Sequence, residues 1–439
     1  MENARNTRFD AKKMNSQALP NSTEAEQLSK VKLGLLCFIA VSPSLGTAIA
    51  ALGRLLLYVW GLGALLKSLQ KPNQSNAWQI NKPVTTIILL ACFFYALSTL
   101  WSKIDFASAW LAWSRYARLI TIPLMFYLIK NNAQGLVVLR AFTGTQVFVG
   151  LSSWLLILGI HPPWVSAVAP DETFASFGTY IEESVAQAAM VGILWFKRDT
   201  IFGPKGKPFA VLTIIGSLSL VLLYLNGRTG HVAMLGIVAL ACLHALPARI
   251  RPLALLTPFL AVGLLWFSSP HFQQRSLTTY QELVNFRNNN NIVTSIGTRL
   301  HFWTISLQGM AAHPITGVGA GSWKVEYQRQ TESSGDATSS SIQGADDPHQ
   351  LFLLWGVEGG LMGLGLVIAT LTLIWRQSRH LESSDAWALR AVVLALVLSS
   401  MFNSILHGIG MGDFFCVGIG IILSLALGKT SKAKPSQVD

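Results

Sequence analysis

Three polar motifs within residues 296–361 interrupt a chain that otherwise consists mostly of long apolar runs. The first is GTRLHFW at 297–303, the second AHPITGVGAG at 312–321 and the third DDPHQL at 346–351. An apolar stretch that contains EGG at 358–360 follows directly. Because ionisable groups are costly in hydrocarbon, we expect these motifs to lie in a polar loop and at the mouth of the next membrane span. We expect the chemistry in the same place.

The composition is that of a polytopic membrane protein. Of the 439 residues, 51% are hydrophobic and only 12% are charged, whereas soluble domains carry about 25% charged residues. One helical crossing needs about 20 apolar residues, and the sequence lacks the residue alternation of a membrane barrel. We therefore predict an all-α polytopic membrane protein.

The apolar runs predict about twelve transmembrane helices, with one large loop between spans nine and ten. The predicted spans are 33–49, 51–67, 84–101, 113–130, 136–159, 180–196, 209–225, 230–247, 252–268, 350–375, 386–405 and 411–428. The predicted divisions are an N-terminal tail at 1–32, spans one to nine at 33–268, the loop at 269–349, spans ten to twelve at 350–428 and a C-terminal tail at 429–439.

The basic residues predict the orientation. When the N-terminus is placed inside, most of the 33 lysines and arginines fall on inner loops, as the positive-inside rule requires. Both termini are then cytoplasmic, and the loop at 269–349 is periplasmic. The same rule explains the net charge of +12, because excess lysine and arginine mark cytoplasmic loops. We therefore do not expect nucleic acid as a partner. The other ten basic residues, eight arginines and two lysines, fall on the outer side, and we expect function to retain some of them.

Motifs for metals, nucleotides and redox chemistry are absent from the sequence. There is no HExxH helix, no Walker loop and no strand-linked GxGxxG. The four cysteines lie in apolar runs without CxxC spacing, which is typical of buried small side chains. We therefore expect neither a metal nor a cofactor.

His349 follows Pro348 at the predicted start of span ten. Its imidazole can accept or donate a proton near neutral pH. The alternative is an interfacial histidine that caps a helix or binds a carbonyl group. Asp347, with Asp346, either orients the imidazole or stabilises the start of the helix. The residues alone leave both interpretations open.

Arg228 lies in a short turn, NGRTG at 226–230, between two predicted spans. Gly227 and Gly230 allow backbone amides to approach a ligand closely, and the planar guanidinium matches phosphate oxygens. The amides at the start of the next helix also suit an anion. The alternative is an arginine that reaches lipid headgroups.

Two further pairs are candidates. Arg115 and Arg118 lie on one face of the fourth predicted span and suit either a diphosphate or ordinary lipid headgroups. Glu182 and Glu183 open the sixth span, where they either accept protons, pair with arginines or serve the first helical turn.

Glu358 lies nine residues after His349, about 13 Å further along a continuous helix. We therefore expect it to have a structural role, in an ion pair or in polar packing. Only a break in the helix at Gly359-Gly360 would allow Glu358 and His349 to contact the same substrate atoms.

The pattern resembles the O-antigen ligase family of bacterial inner-membrane glycosyltransferases. The motifs that carry the resemblance are Asn226-Gly227-Arg228-Thr229-Gly230, the run Arg299…Trp303…Pro314…Gly317-Val318-Gly319, and Asp347-Pro348-His349-Gln350 followed by Glu358-Gly359. The family often has asparagine after the histidine. Gln350 departs from this pattern but keeps the amide.

The resemblance implies transfer of a glycan from undecaprenyl diphosphate to lipid A–core at the periplasmic face of the inner membrane, with inversion and without metal or ATP. The expected partners are these two substrates and membrane lipids. His349 would accept the proton of the acceptor hydroxyl or hold that hydroxyl in line. Arg228, with Arg115 and Arg118, would stabilise the leaving diphosphate. The expected supporting residues are Arg299, Asp347, Gln350, Glu182 and Glu183.

Three other functions fit parts of the sequence. An O-antigen polymerase would use a second lipid-linked glycan as acceptor, and a protein O-oligosaccharyltransferase would use a serine or threonine. The latter resembles this chain but usually carries additional C-terminal sequence. A secondary transporter or lipid flippase would place its ionisable residues near the middle of the membrane, whereas His349 and the outer arginines lie at predicted span ends.

Overall fold

A computed structural model of the chain describes residues 22–70, 79–165, 174–268, 270–289, 293–333 and 346–426. The predicted C-terminal tail and residues 1–21 of the predicted N-terminal tail lie outside these ranges. Residues 22–32 form the first turns of a helix.

The described residues include no β-strand, which confirms the prediction of an all-α fold. The α-helices are α1 (Ser22–Val41), α2 (Thr47–Gln70), α3 (Lys82–Ser98), α4 (Phe106–Ala117), α5 (Thr121–Leu128), α6 (Asn132–Ile157), α7 (Tyr180–Phe202), α8 (Lys207–Ser219), α9 (Arg228–Ala245), α10 (Thr257–Ser268), α11 (Pro270–Asn289), α12 (Ser295–Ala312), α13 (Trp323–Ser333), α14 (Leu351–Gln377), α15 (Ser383–Ser400) and α16 (Ile409–Ser424).

Several of these helices are long and apolar enough to cross a membrane, so the chain is an integral membrane protein. In the described part there are seven, Thr47–Lys67, Lys82–Trp101, Asn132–Ile157, Pro204–Tyr224, Arg228–Ala245, Leu351–His380 and Ser383–Ser400. The count of twelve spans stays a prediction. The predicted span at 113–130 is not one helix, because a short 3-10 turn at Arg118–Ile120 separates α4 from α5.

The predicted loop at 269–349 contains three helices, α11, α12 and α13. Thr294 caps α12 by accepting a hydrogen bond from the Gly297 amide at 3.1 Å. The helix ends just before Pro314, where the sequence predicts its end. A small apolar core joins α12 and α13 to the first turns of α14, and its buried members are Phe302, Ile305, Val318, Trp323, Tyr327, Leu354 and Val357.

Helix α14 is broken at Gly360, whose φ is 61° and ψ −156°. The segment 314–319 lies along the break and exchanges backbone hydrogen bonds with 357–362. The four bonds run from Val318 N to Val357 O (3.0 Å), Gly319 N to Glu358 O (3.0 Å), Leu361 N to Pro314 O (2.8 Å) and Met362 N to Ile315 O (3.2 Å). Backbone groups in a membrane protein need such partners, so the break and the turn after α12 depend on each other.

The Glu358 side chain, only 3% exposed, fixes the same turn. Its carboxylate accepts hydrogen bonds from the backbone amides of Gly321 (2.8 Å) and Trp323 (3.3 Å). The hydroxyl of Tyr116 on α4 also donates to it. Glu358 therefore has the polar packing role expected from its spacing, although the helix is broken two residues further on.

Replacing Gly360 by alanine should destabilise the fold by at least about 2 kcal/mol, because a non-glycine residue is strained in this backbone conformation. An added β-carbon would also lie 2.3 Å from the Ile315 carbonyl oxygen. Gly365 is the matched control in the same helix, since a β-carbon there meets no atom within 4 Å. Thermal unfolding in detergent should show a lower Tm for Gly360→Ala than for Gly365→Ala. Equal Tm values would contradict the structural role of the break.

Candidate functional site

Arg228 is the first residue of α9, and the turn before it packs closely on the start of α7. A β-carbon at Gly227 or Gly230 would lie 2.5 or 2.0 Å from the Ser184 hydroxyl oxygen. The two glycines thus permit close contact between helices as well as the approach to a ligand that the sequence predicts. This contact fixes the start of α9, and Arg228 with it.

Two arginines and one carboxylate lie together beside this turn. Arg228 Nη1 is 3.7 Å from Glu282 Oε2 on α11, and neither atom has a hydrogen bond within the described residues. Burial lowers the pKa of Arg299 on α12, and the charge of Arg228 lowers it further. The charges of Tyr180 and Glu282 raise the pKa of Arg299 and so partly oppose this shift. The cluster carries a net positive charge and suits an anionic ligand.

His349 is held by Asp347. The backbone N–H of His349 donates to Asp347 Oδ1 at 2.6 Å, and the ring Nδ1 lies 3.4 Å from the same oxygen. The bond stabilises a backbone conformation that is uncommon outside glycine, with φ of 50°. The ring is 43% exposed, and its Nε2 makes no hydrogen bond within the part of the chain that the structure describes. This nitrogen is available to a substrate.

The turn at 401–408, between α15 and α16, connects the two predicted catalytic residues. Asn403 Nδ2 donates to the hydroxyl oxygen of Thr229, the neighbour of Arg228, at 2.7 Å. Ser404 donates to Asp347 Oδ1 at 3.0 Å. Because Asn403 and Ser404 are adjacent, the start of α9 and the Asp347–His349 pair are fixed against one short segment.

Helix α12 contacts both His349 and the 401–408 turn through aromatic rings. The Phe302 ring is 6.2 Å from the His349 ring, and the Trp303 ring is 6.4 Å from the Phe402 ring, measured between centroids. Arg299 is one helical turn before these aromatic residues. One helix therefore positions Arg299 beside Arg228 and contacts both His349 and the 401–408 turn.

Arg118 is enclosed by protein, with a side chain only 4% exposed. Its Nε is 3.3 Å from Asp413 Oδ1, and its Nη1 donates to the carbonyl oxygens of Leu406 (2.6 Å) and Gly408 (2.7 Å). Arg118 thus stabilises the 401–408 turn from within the bundle. A role as a diphosphate ligand stays a prediction.

Arg115 is exposed and makes no hydrogen bond or ion pair with any described residue. It lies near His407, whose pKa is lowered first by burial and then by the charges of Arg115 and Arg118. The His407 ring meets the Tyr116 ring edge-on, with 4.8 Å between centroids. Arg115 is therefore at the edge of the 401–408 turn, with its guanidinium open to a ligand.

The remaining predicted residues bind neighbouring parts of the chain. Glu183 is buried and accepts from the Ser176 amide at 2.8 Å and from the Ser153 hydroxyl. Glu182 and Thr179 form a capping box at the start of α7. Gln350 caps α14 by accepting from the Leu353 amide at 2.6 Å. The described residues show no ion pair between these carboxylates and the arginines.

Sequence reasoning missed Glu282, Asn403 and Ser404. The last two fall inside the predicted span at 386–405, whereas α15 ends at Ser400. The adjacent polar pair at the end of an apolar run is the signal that could have revealed them. Glu282 lies in a polar helix without a recognisable motif. Within the described ranges, no three His, Cys, Asp or Glu side chains are grouped to hold a metal ion.

Comparison with known families supports the resemblance. Residues 210–368 match the family model described as O-Antigen ligase, a family associated with glycosyl transfer by O-antigen ligases and polymerases. No curated protein matches the chain. The matched segment contains Arg228, Glu282, Arg299, Asp347 and His349, and the 401–408 turn lies beyond it. Over residues 210–368, the chain is similar to the O-antigen ligase family, in agreement with the motifs that carry the resemblance.

Proposed function

We propose that the protein transfers an O-antigen glycan from undecaprenyl diphosphate to lipid A–core at the periplasmic face of the inner membrane. One observation carries the proposal. Asn403 and Ser404 connect the helix that begins with Arg228 to the Asp347–His349 pair. An anion site and a base in one connected structure are what this transfer needs, since a diphosphate leaves while an acceptor hydroxyl attacks.

The arginines serve the donor. The glycosyl–phosphate bond breaks, and negative charge accumulates on the diphosphate oxygens as they leave. Arg228 and Arg299 stabilise this charge, and the N-terminal amides of α9 assist them. A diphosphate carries more charge than the Glu282 carboxylate, so it replaces that group as the partner of Arg228. Arg115 is available to the same lipid, while Arg118 positions the turn.

The histidine serves the acceptor. The hydroxyl oxygen of the core sugar attacks the anomeric carbon, and its proton passes to Nε2 of His349. Asp347 beside Nδ1 stabilises the imidazolium that forms. Direct displacement by this route inverts the anomeric centre. The glycosyl–phosphate bond supplies the free energy, so the proposed reaction uses neither ATP nor a metal.

The first test incubates the purified protein with undecaprenyl-diphosphate glycan and lipid A–core, in EDTA and without ATP. We expect a shifted lipopolysaccharide band on a gel. His349→Ala should lower the rate by at least about a hundredfold, because it removes the proton acceptor. His161→Ala, an exposed histidine outside the site, is the control and should keep the normal rate.

Other products would change the proposal. Longer glycans on the lipid carrier would indicate a polymerase, and glycan on an added acceptor protein would indicate a protein O-oligosaccharyltransferase. Normal transfer by the His349→Ala variant would remove His349 from the mechanism while leaving the ligase activity established.

Arg228→Lys and Arg299→Lys test recognition of the diphosphate. Lysine keeps the charge but loses the planar pair of donors, so kcat should fall by roughly a hundredfold in each variant. Arg287→Lys, an exposed position on α11, should transfer glycan at the normal rate. If all three variants behave alike, the two arginines serve as headgroup anchors and not as diphosphate ligands.

Asn403 and Thr229 share a hydrogen bond, so substitutions at the two positions should have coupled effects on kcat. Asn403→Ala and Thr229→Val remove the two partners of one hydrogen bond, and each should lower kcat, because small displacements of reacting groups are costly. The double variant should then be no slower than the slower single variant. If the fall in kcat of the double variant equals the product of the two single falls, the two residues act independently. That result would show that the 401–408 turn does not connect Arg228 to His349.

A further inference from the structure

A lysine-rich groove lies between the middle of α1 and the second half of α2. The two helices are joined by a short 3-10 turn at Ser42–Ser44, and the groove lies away from this turn. Its volume is about 470 Å³. Lys32 of α1, Lys67 of α2 and Lys130 after α5 line it, together with Leu36, Trp60 and Leu128. We call this feature the lysine groove.

The lysine groove and the Arg228 site lie at opposite ends of the bundle. Thr47, at the start of α2, lines a cavity together with Glu182 and Gly410, and Glu182 belongs to the same end of α7 that contacts the turn before Arg228. From Thr47 to Lys67, α2 rises about 30 Å. This is the thickness of the hydrocarbon core, so the groove lies at the other membrane surface.

None of the three lysines forms an ion pair with the side chains that the structure describes, which begin at Ser29 in α1. Lys130 is fixed in place, because its Nζ donates to the Tyr127 carbonyl oxygen at 2.8 Å and lies 4.4 Å from the Tyr127 ring. Burial lowers the pKa of Lys130, and the charge of Lys32 lowers it further. Like charges held this close are stabilised by an anion.

The walls of the lysine groove are apolar. Leu36 is buried, Trp60 is partly buried, and Val59 is 66% exposed along the side of α2. Positive charge at the membrane surface above an apolar wall matches the two parts of a phospholipid, its phosphate and its acyl chain. A free phosphate ion would use only the lysines.

We propose that the lysine groove binds an anionic phospholipid, with its phosphate between Lys32, Lys67 and Lys130 and an acyl chain along Val59 and Trp60. The site is separate from the proposed transfer reaction. It does not depend on which glycan the protein moves. Cardiolipin, which carries two phosphates, offsets the three lysines better than a lipid with one phosphate.

Native mass spectrometry of the full chain, titrated with cardiolipin in detergent, tests the proposal. Each Lys→Gln substitution should weaken the apparent Kd roughly fivefold, and the triple variant on the order of a hundredfold, because one lysine near the surface contributes about 1 kcal/mol. Lys205→Gln, an exposed lysine in the turn between α7 and α8, is the matched control and should bind cardiolipin normally.

Two results would overturn the proposal. One is a triple variant that binds cardiolipin as the unmodified protein does. The other is displacement of cardiolipin by inorganic pyrophosphate at equal concentration, which would identify a soluble phosphate as the ligand. Zwitterionic phosphatidylcholine should bind weakly and equally to all variants, and a large difference there would show that the substitutions alter the fold.

Discussion

The break in α14 at Gly360 is the constraint on which this face of the molecule depends. A helix within a membrane normally satisfies its own backbone groups. Here four of those hydrogen bonds are made with the segment that follows α12, and the Glu358 carboxylate binds the same segment again. The first turns of α14 are therefore joined to the end of α12, the helix that bears Arg299. His349 lies two residues before α14 begins, so its position is tied to the same turns. Packing of α12 alone would not determine these positions, because the apolar core beneath it is small.

A second constraint comes from charge buried in the bundle. Asp413 on α16 is 3% exposed and lies between two arginines, with Arg54 at 3.0 Å and Arg118 at 3.3 Å. Desolvating Asp413 and Arg118 is costly, and the cost is offset only where the geometry is good. Arg118 completes that geometry by binding the carbonyl oxygens of Leu406 and Gly408. The buried cluster thus holds the 401–408 turn, and the turn holds Thr229 and Asp347. Arg118 is connected to the candidate site by this route.

The sequence predicts those parts of the protein that depend on local pattern. Apolar runs predict a helical membrane protein, and the end of α12 before Pro314 follows from the residue itself. The individual candidates Arg228 and His349 follow from their chemistry. Their connection does not, because Asn403 and Thr229 are 174 residues apart in the chain, and no local pattern encodes a contact at that separation. The break at Gly360 is a similar case, since a glycine pair in an apolar run is equally compatible with an unbroken helix.

The distance between Arg228 and Glu282 bears on how the donor enters the proposed reaction. Two guanidinium groups beside each other repel, and a nearby negative charge offsets this repulsion. Glu282 supplies it at 3.7 Å, too far for a hydrogen bond. A direct bond would hold the arginine more firmly and would have to be broken each time a donor binds, at a cost of about 1.5–3 kcal/mol for a charged pair. In the proposed reaction, a carboxylate at this longer distance offsets the positive charge while leaving the arginine donors available to phosphate oxygens. The same loose pairing also favours release of the product diphosphate, because Glu282 competes for Arg228 as the lipid leaves.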